Sequence, residues 1–103
     1  MKDEIWIGLV NVVPRKGNTF LHDAVGAYVS ALVIAKNAAE FCSSVRHQMD
    51  QYEFDVIGID DIELYRERIL RCKVAEVIDE LSKGLNDCNP IGFGTFHSYK
   101  TEE

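Results

Sequence analysis

The chain has 103 residues, 47% of them apolar, and its 17 acidic against 11 basic side chains give a formal charge of −6. That length fits one α+β domain, residues 1–103, with a single modest core whose stability oligomerisation would supplement. No basic run tracks phosphates, Arg15-Lys16 being the one short candidate, so nucleic acid is not expected as a partner.

The amino-terminal stretch MKDEIWIGLVNVV places Asp3 and Glu4 where a secretory leader is positive, and Asn11 and Pro14 interrupt its apolar run. The longest apolar stretch, Ala24 to Ala35, is broken by Gly26 and Ser30. Neither a leader nor a membrane span is expected. Cys42, Cys72 and Cys88 are odd in number and lack the paired spacing of zinc or redox motifs, which fits three reduced thiols in a cytoplasmic protein.

Glu4 to Val13 is rich in Ile, Val and Trp and is closed by Pro14 and Lys16-Gly17-Asn18, the pattern of a strand and turn. Both its faces are apolar, Ile5, Ile7 and Leu9 on one and Trp6, Val10 and Val12 on the other. Ala27 to Ala35 reads as a second strand, because Tyr28, Val29, Val33 and Ile34 favour β structure and a helix start follows at once. That start is Asn37-Ala38-Ala39-Glu40: Asn37 accepts from a free backbone N–H while Glu40 reaches back to the cap. The helix is predicted from Ala38 to Gln51, burying Phe41, Val45 and Met49 at four-residue spacing.

A third strand is predicted from Glu53 to Ile59, with Ile62 as its far limit. Leu70, Val74, Val77, Ile78, Leu81 and Leu85 fall at helical spacing, so a second helix starts between Leu64 and Lys73 and stops at Gly84 or Asn86. After the turn residues Asn86 to Pro90, a fourth strand carries Ile91, Phe93, Thr95, His97 and Tyr99 on one face. Lys100 to Glu103 is a polar tail expected to fray.

The order ββαβαβ predicts a four-stranded, mainly antiparallel sheet with two helices on one face. Over nearly the whole chain this pattern resembles a ferredoxin-like sandwich with altered strand order. In broad profile the chain resembles small uncharacterised bacterial proteins, of mobile gene cassettes or of the immunity type that neutralises toxins. Helices on one face would leave apolar residues of strands one and two on the other, a surface that needs cover. A homodimer through the sheet face is the expected answer, ahead of another protein or an apolar ligand.

The chemistry-bearing residues point less firmly. His22-Asp23, with Arg15 and Lys16, sits in a loop that would suit an anion but lacks a phosphate cradle. Asp55, Asp60, Asp61 and Glu63 form an acidic group without EF-hand spacing, a pattern of solvated strand ends, so no metal is expected. Ser43 and His47 share a helix face without an orienting acid, which argues against a hydrolase. Gly92-Phe93-Gly94 precedes a strand and not a helix, so it marks packing and no nucleotide loop.

The leading expectation is therefore a small dimeric binding or protein-interaction domain with no cofactor, its acidity suiting a basic protein partner. The alternative is a cofactor-free enzyme of the dimeric ferredoxin-like kind, acting on an apolar or aromatic small molecule. Its pocket walls would be Trp6, Tyr28, Phe96, His97 and Tyr99, with His97 as the acid–base candidate.

Overall fold

The computed structural model describes residues 3–22 and 24–99. The predicted tail from Lys100 to Glu103, and Asp23 of the His22-Asp23 pair, lie outside the described residues. Strands β1 (Glu4–Pro14) and β2 (Gly26–Ala35) are followed by α1 (Ala38–Gln51), β3 (Phe54–Leu64), α2 (Tyr65–Arg71), α3 (Glu76–Gly84), β4 (Ile91–Phe93) and β5 (His97–Tyr99). All strand pairings are antiparallel, in the order β3-β1-β2-β4, with β5 also on β2, so the α+β class holds. Among the described residues no helix is long and apolar enough to cross a membrane.

The register of β1 on β2 pairs Val10 with Val29 and Val12 with Ala27, and these small and branched side chains form a flat floor for α1. Phe41, Val45 and Met49 of α1 are fully buried on it, as their spacing predicts. Burying a Phe or Met side chain in this way contributes about 1.5–3 kcal/mol. The ring of Phe41 rests on Gly8, where a Cβ would come within 2.9 Å of it. Asn37 caps α1 as expected: its Oδ1 accepts from the Glu40 N–H at 2.8 Å. The Glu40 carboxylate returns to the N–H of Lys36, one residue before the cap, at 2.9 Å.

The expectation of two helices on one face is corrected. The second predicted helix is two helices, α2 and α3, and they cover the opposite face from α1, where Tyr65 and Ile78 are buried with Ile7 and Leu32. Ile5, Val74, Leu81 and Leu85 complete that cluster. One continuous helix cannot do this, because Tyr65 and Ile78 would lie about 220° apart around its axis. The extended backbone at Cys72 and Ala75 turns the chain between them, and the Tyr65 hydroxyl donates to Asp79 Oδ1 at 3.2 Å. Leu70, which helical spacing assigns to the apolar stripe, is 87% exposed as a result. The apolar second face of β1 and β2 is thus covered largely by the chain itself.

Strand four is also divided. β4 pairs Phe93 with Ala31 and β5 pairs His97 with Tyr28, leaving three residues on one side against two on β2. Residues 93 and 96 would face opposite ways in a regular strand, yet both Phe93 and Phe96 pack against the α1-side cluster. His97 pairs with Tyr28 on the other face, so the predicted single row from Ile91 to Tyr99 switches sides at the break. On the far edge, β3 runs past its predicted end to Leu64 and is interrupted by two register shifts against β1. Asp61, in the left-handed region at φ 55°, occupies one of these bulges. Bulges and acidic side chains on an edge strand discourage pairing with another sheet.

Candidate functional site

The five residues expected to wall one pocket fall in three places. Trp6 lies half-buried on the α1 side, its Nε1 without a hydrogen-bond partner among the described residues. Tyr28, His97 and Tyr99 do come together on the opposite face: Tyr28 is directly across from His97, and the rings of Tyr28 and Tyr99 are 5.6 Å apart. Tyr99 lies across Gly26, where any Cβ would collide with its ring, and donates from its hydroxyl to Asn11 Oδ1 at 2.9 Å. His97 is exposed in this group. An exposed imidazole beside two tyrosines is a surface feature of the sheet, not the floor of an apolar pocket.

Phe96 belongs to a different constellation, an aromatic cleft of about 340 Å³ formed with Asn18, Phe20, Tyr52 and Phe54. Phe54 is 3% exposed and forms the base, stacked on Phe96 at 5.9 Å. Phe20 stands edge-on to both, 5.2 Å from Phe96 and 6.0 Å from Phe54, yet is 61% exposed. Tyr52, 52% exposed, closes the other side. Edge-to-face and offset pairs of this kind add about 0.5–1.5 kcal/mol each beyond their burial. Asn18 fixes the cleft by joining the β1–β2 loop to the turn after α1. Its Nδ2 donates to the carbonyls of Tyr52 at 3.0 Å and Glu53 at 2.9 Å, and its Oδ1 accepts from the Phe20 N–H at 2.9 Å.

Sequence reasoning missed Phe20, Tyr52 and Phe54 as site residues. An aromatic residue inside the turn-forming stretch Lys16 to His22 was the one available signal, since binding residues are disproportionately carried on loops. Three phenylalanines, Tyr52 and Asn18 line the cleft, with no carboxylate, imidazole, amine or thiol among them. It offers apolar contact and ring faces, with the Tyr52 hydroxyl and the Asn18 amide as its polar groups.

The charged candidates are mostly committed to one another. Arg15, expected to favour an anion near His22, donates to Asp50 at 2.6 Å and Asp55 at 2.9 Å, and these two carboxylates hold its pKa above the ordinary value. Glu63 of the acidic group accepts from both Arg68 and Arg71, which keep its carboxyl below the ordinary range. Asp55 and Glu63 of the acidic group therefore serve as counter-ions for arginines.

A second cleft, of about 680 Å³, opens on the α2–α3 side of the sheet. At its base lie Ile7, Val74 and Ile78. Its rim carries Arg68, Arg71 and Lys73 with Asp61 and Glu63. Arg68 also donates to the Asp61 carbonyl at 2.9 Å, and Arg71 Nη1 lies 3.2 Å from Cys72 Sγ. No protein-family model matches the chain, and neither the curated proteins nor the solved structures give a match.

Proposed function

We propose that the chain is a small binding module, not an enzyme, and that it receives an apolar or aromatic side chain of a protein partner in the cleft of Phe20, Tyr52, Phe54 and Phe96. The observation that carries this reading is a pair of rings held open to solvent, Phe20 and Tyr52, above a buried aromatic base with no carboxylate, imidazole or amine in the lining. Exposed aromatics in a preformed recess resemble the anchor pockets of protein interfaces, where rings of low conformational entropy carry most of the binding energy. The net charge of −6 favours a partner with a basic rim. An enzyme centred on His97 has less support, because that ring is exposed with Tyr28 and Tyr99 on the opposite face from the aromatic cleft.

The grounds for a homodimer move from the sheet face to the aromatic end. With Ile7 and Leu32 buried beneath α3, a whole sheet face no longer needs a second copy to cover it. A dimer built on the aromatic end would bury Phe20 and Tyr52 instead. The test is a chemical-shift titration with N-acetyltryptophanamide, an aromatic side chain on a peptide backbone. Saturable shifts of the amides at 18–20, 52–54 and 96, abolished in Phe20→Ala, are expected. Shifts centred on Tyr28 and His97, or no saturable response at millimolar concentration, would overturn the assignment. Sedimentation equilibrium of wild type and Phe20→Ala reads the dimer directly.

A further inference from the structure

The cleft on the α2–α3 side has a composition that the aromatic site does not explain. Arg68, Arg71 and Lys73 bring three positive charges to its rim against two negative charges from Asp61 and Glu63, a local excess of one on a chain whose total is −6. Both guanidinium groups converge on a single oxygen of Glu63, Oε2, while Lys73 enters no ion pair among the described residues. Beneath this rim the floor is made of branched aliphatic side chains, of which Ile7 and Ile78 are nearly fully buried. We infer that this cleft binds a small monocarboxylate carrying an apolar body.

Two features select that class over a simple anion. One unit of negative charge balances the local excess, whereas a dianionic phosphate leaves the rim negative again. A volume of about 680 Å³ lies in the range of small-molecule sites and far exceeds one carboxylate, and Val74 with Ile78 at the base gives an apolar body a place beside the charged rim. Glu63 already shows what the two arginines bind, a carboxylate oxygen to which both donate. The incoming carboxylate takes Lys73 and the guanidinium N–H groups that Glu63 leaves unused, with its body over Val74 and Ile78. This site shares no lining residue with the aromatic cleft, so the two stand or fall separately.

The experiment titrates the full chain with 4-phenylbutyrate, with its uncharged amide and with inorganic phosphate, following backbone amide shifts and thermal stability. Saturable binding of 4-phenylbutyrate is expected, with shifts at residues 61–63 and 71–75, and weaker binding as salt rises. Arg71→Gln and Lys73→Gln, both at exposed positions, are each expected to weaken it by about fivefold, in line with a solvent-accessible ion pair. Phe20→Ala should leave it unchanged. The inference is overturned if no saturable binding occurs, if the amide binds as tightly, if phosphate binds equally well, or if Phe20→Ala removes binding that Arg71→Gln retains. Circular dichroism of the two charge variants separates lost binding from lost fold, and Lys73→Gln removes a side chain outside the Glu63 network.

Discussion

Ile78→Ala tests the arrangement of helices on both faces of the sheet. Ile78 is 8% exposed and meets Ile7, 2% exposed, and Leu32, 0% exposed, on the face away from α1. Its Cδ1 also fills the space above Gly94, where a Cβ would lie 2.8 Å from it. Truncating a buried Ile to Ala typically costs about 2–5 kcal/mol, the upper end applying where the surroundings cannot relax. Here a cleft of about 680 Å³ opens beside the side chain and admits water, so the lower part of that range, about 2–3 kcal/mol, is expected. On a total stability of about 5–15 kcal/mol this is a large loss, corresponding to a fall in Tm of about 10–20 °C. Urea unfolding followed by circular dichroism measures it, with Phe41→Ala on the other face as reference at about 3–5 kcal/mol. A second variant, Ile78→Asp, should lift α3 from the sheet, exposing Ile7 and Leu32 and causing concentration-dependent association in sedimentation. A loss below about 0.5 kcal/mol for Ile78→Ala, the size of an ordinary surface change, would refute the packing of α3 on the sheet.

Asn37→Ala removes the acceptor at the start of α1 and should lower stability by about 1 kcal/mol in denaturant unfolding without altering assembly. Glu63→Gln should flatten the acid limb of the stability curve. Arg71 and then Arg68 hold the Glu63 carboxyl below its ordinary value of 4.5, so its stabilising effect is complete above that pH and is lost as the pH falls through the lowered value. The variant should be less stable than wild type near neutrality, the gap closing below pH 4.5, and unfolding midpoints between pH 3 and 7 check the sign.

The legible parts of the fold were those written in short-range patterns. The Asn37 cap, the stripe of Phe41, Val45 and Met49, and the β character of Ala27 to Ala35 each depend on neighbours within a turn or on alternation along one strand. Of the expected wall residues, His97 and Tyr99 share a sheet face with Tyr28, but the row expected from Ile91 to Tyr99 is cut at the break before β5. Trp6 and Phe96 face the other way by alternation along their own strands, Trp6 pairing with Val33 on the α1 side and Phe96 directly preceding His97, while the extra residue between β4 and β5 parts His97 from Phe93.

By itself, then, the sequence determined that β1 and β2 are apolar on both faces and that each face must be covered. Only the tertiary structure decided what covers them. The bend at Cys72 to Ala75 has no proline or glycine to announce it, and it exists because Tyr65 and Ile78 gain more by sharing one sheet face than an unbroken helix would allow. The aromatic cleft has the same origin: Phe20, Tyr52, Phe54 and Phe96 come from three distant segments, and no local pattern encodes a site whose walls meet only when the β1–β2 loop, the turn after α1 and the break before β5 are folded together.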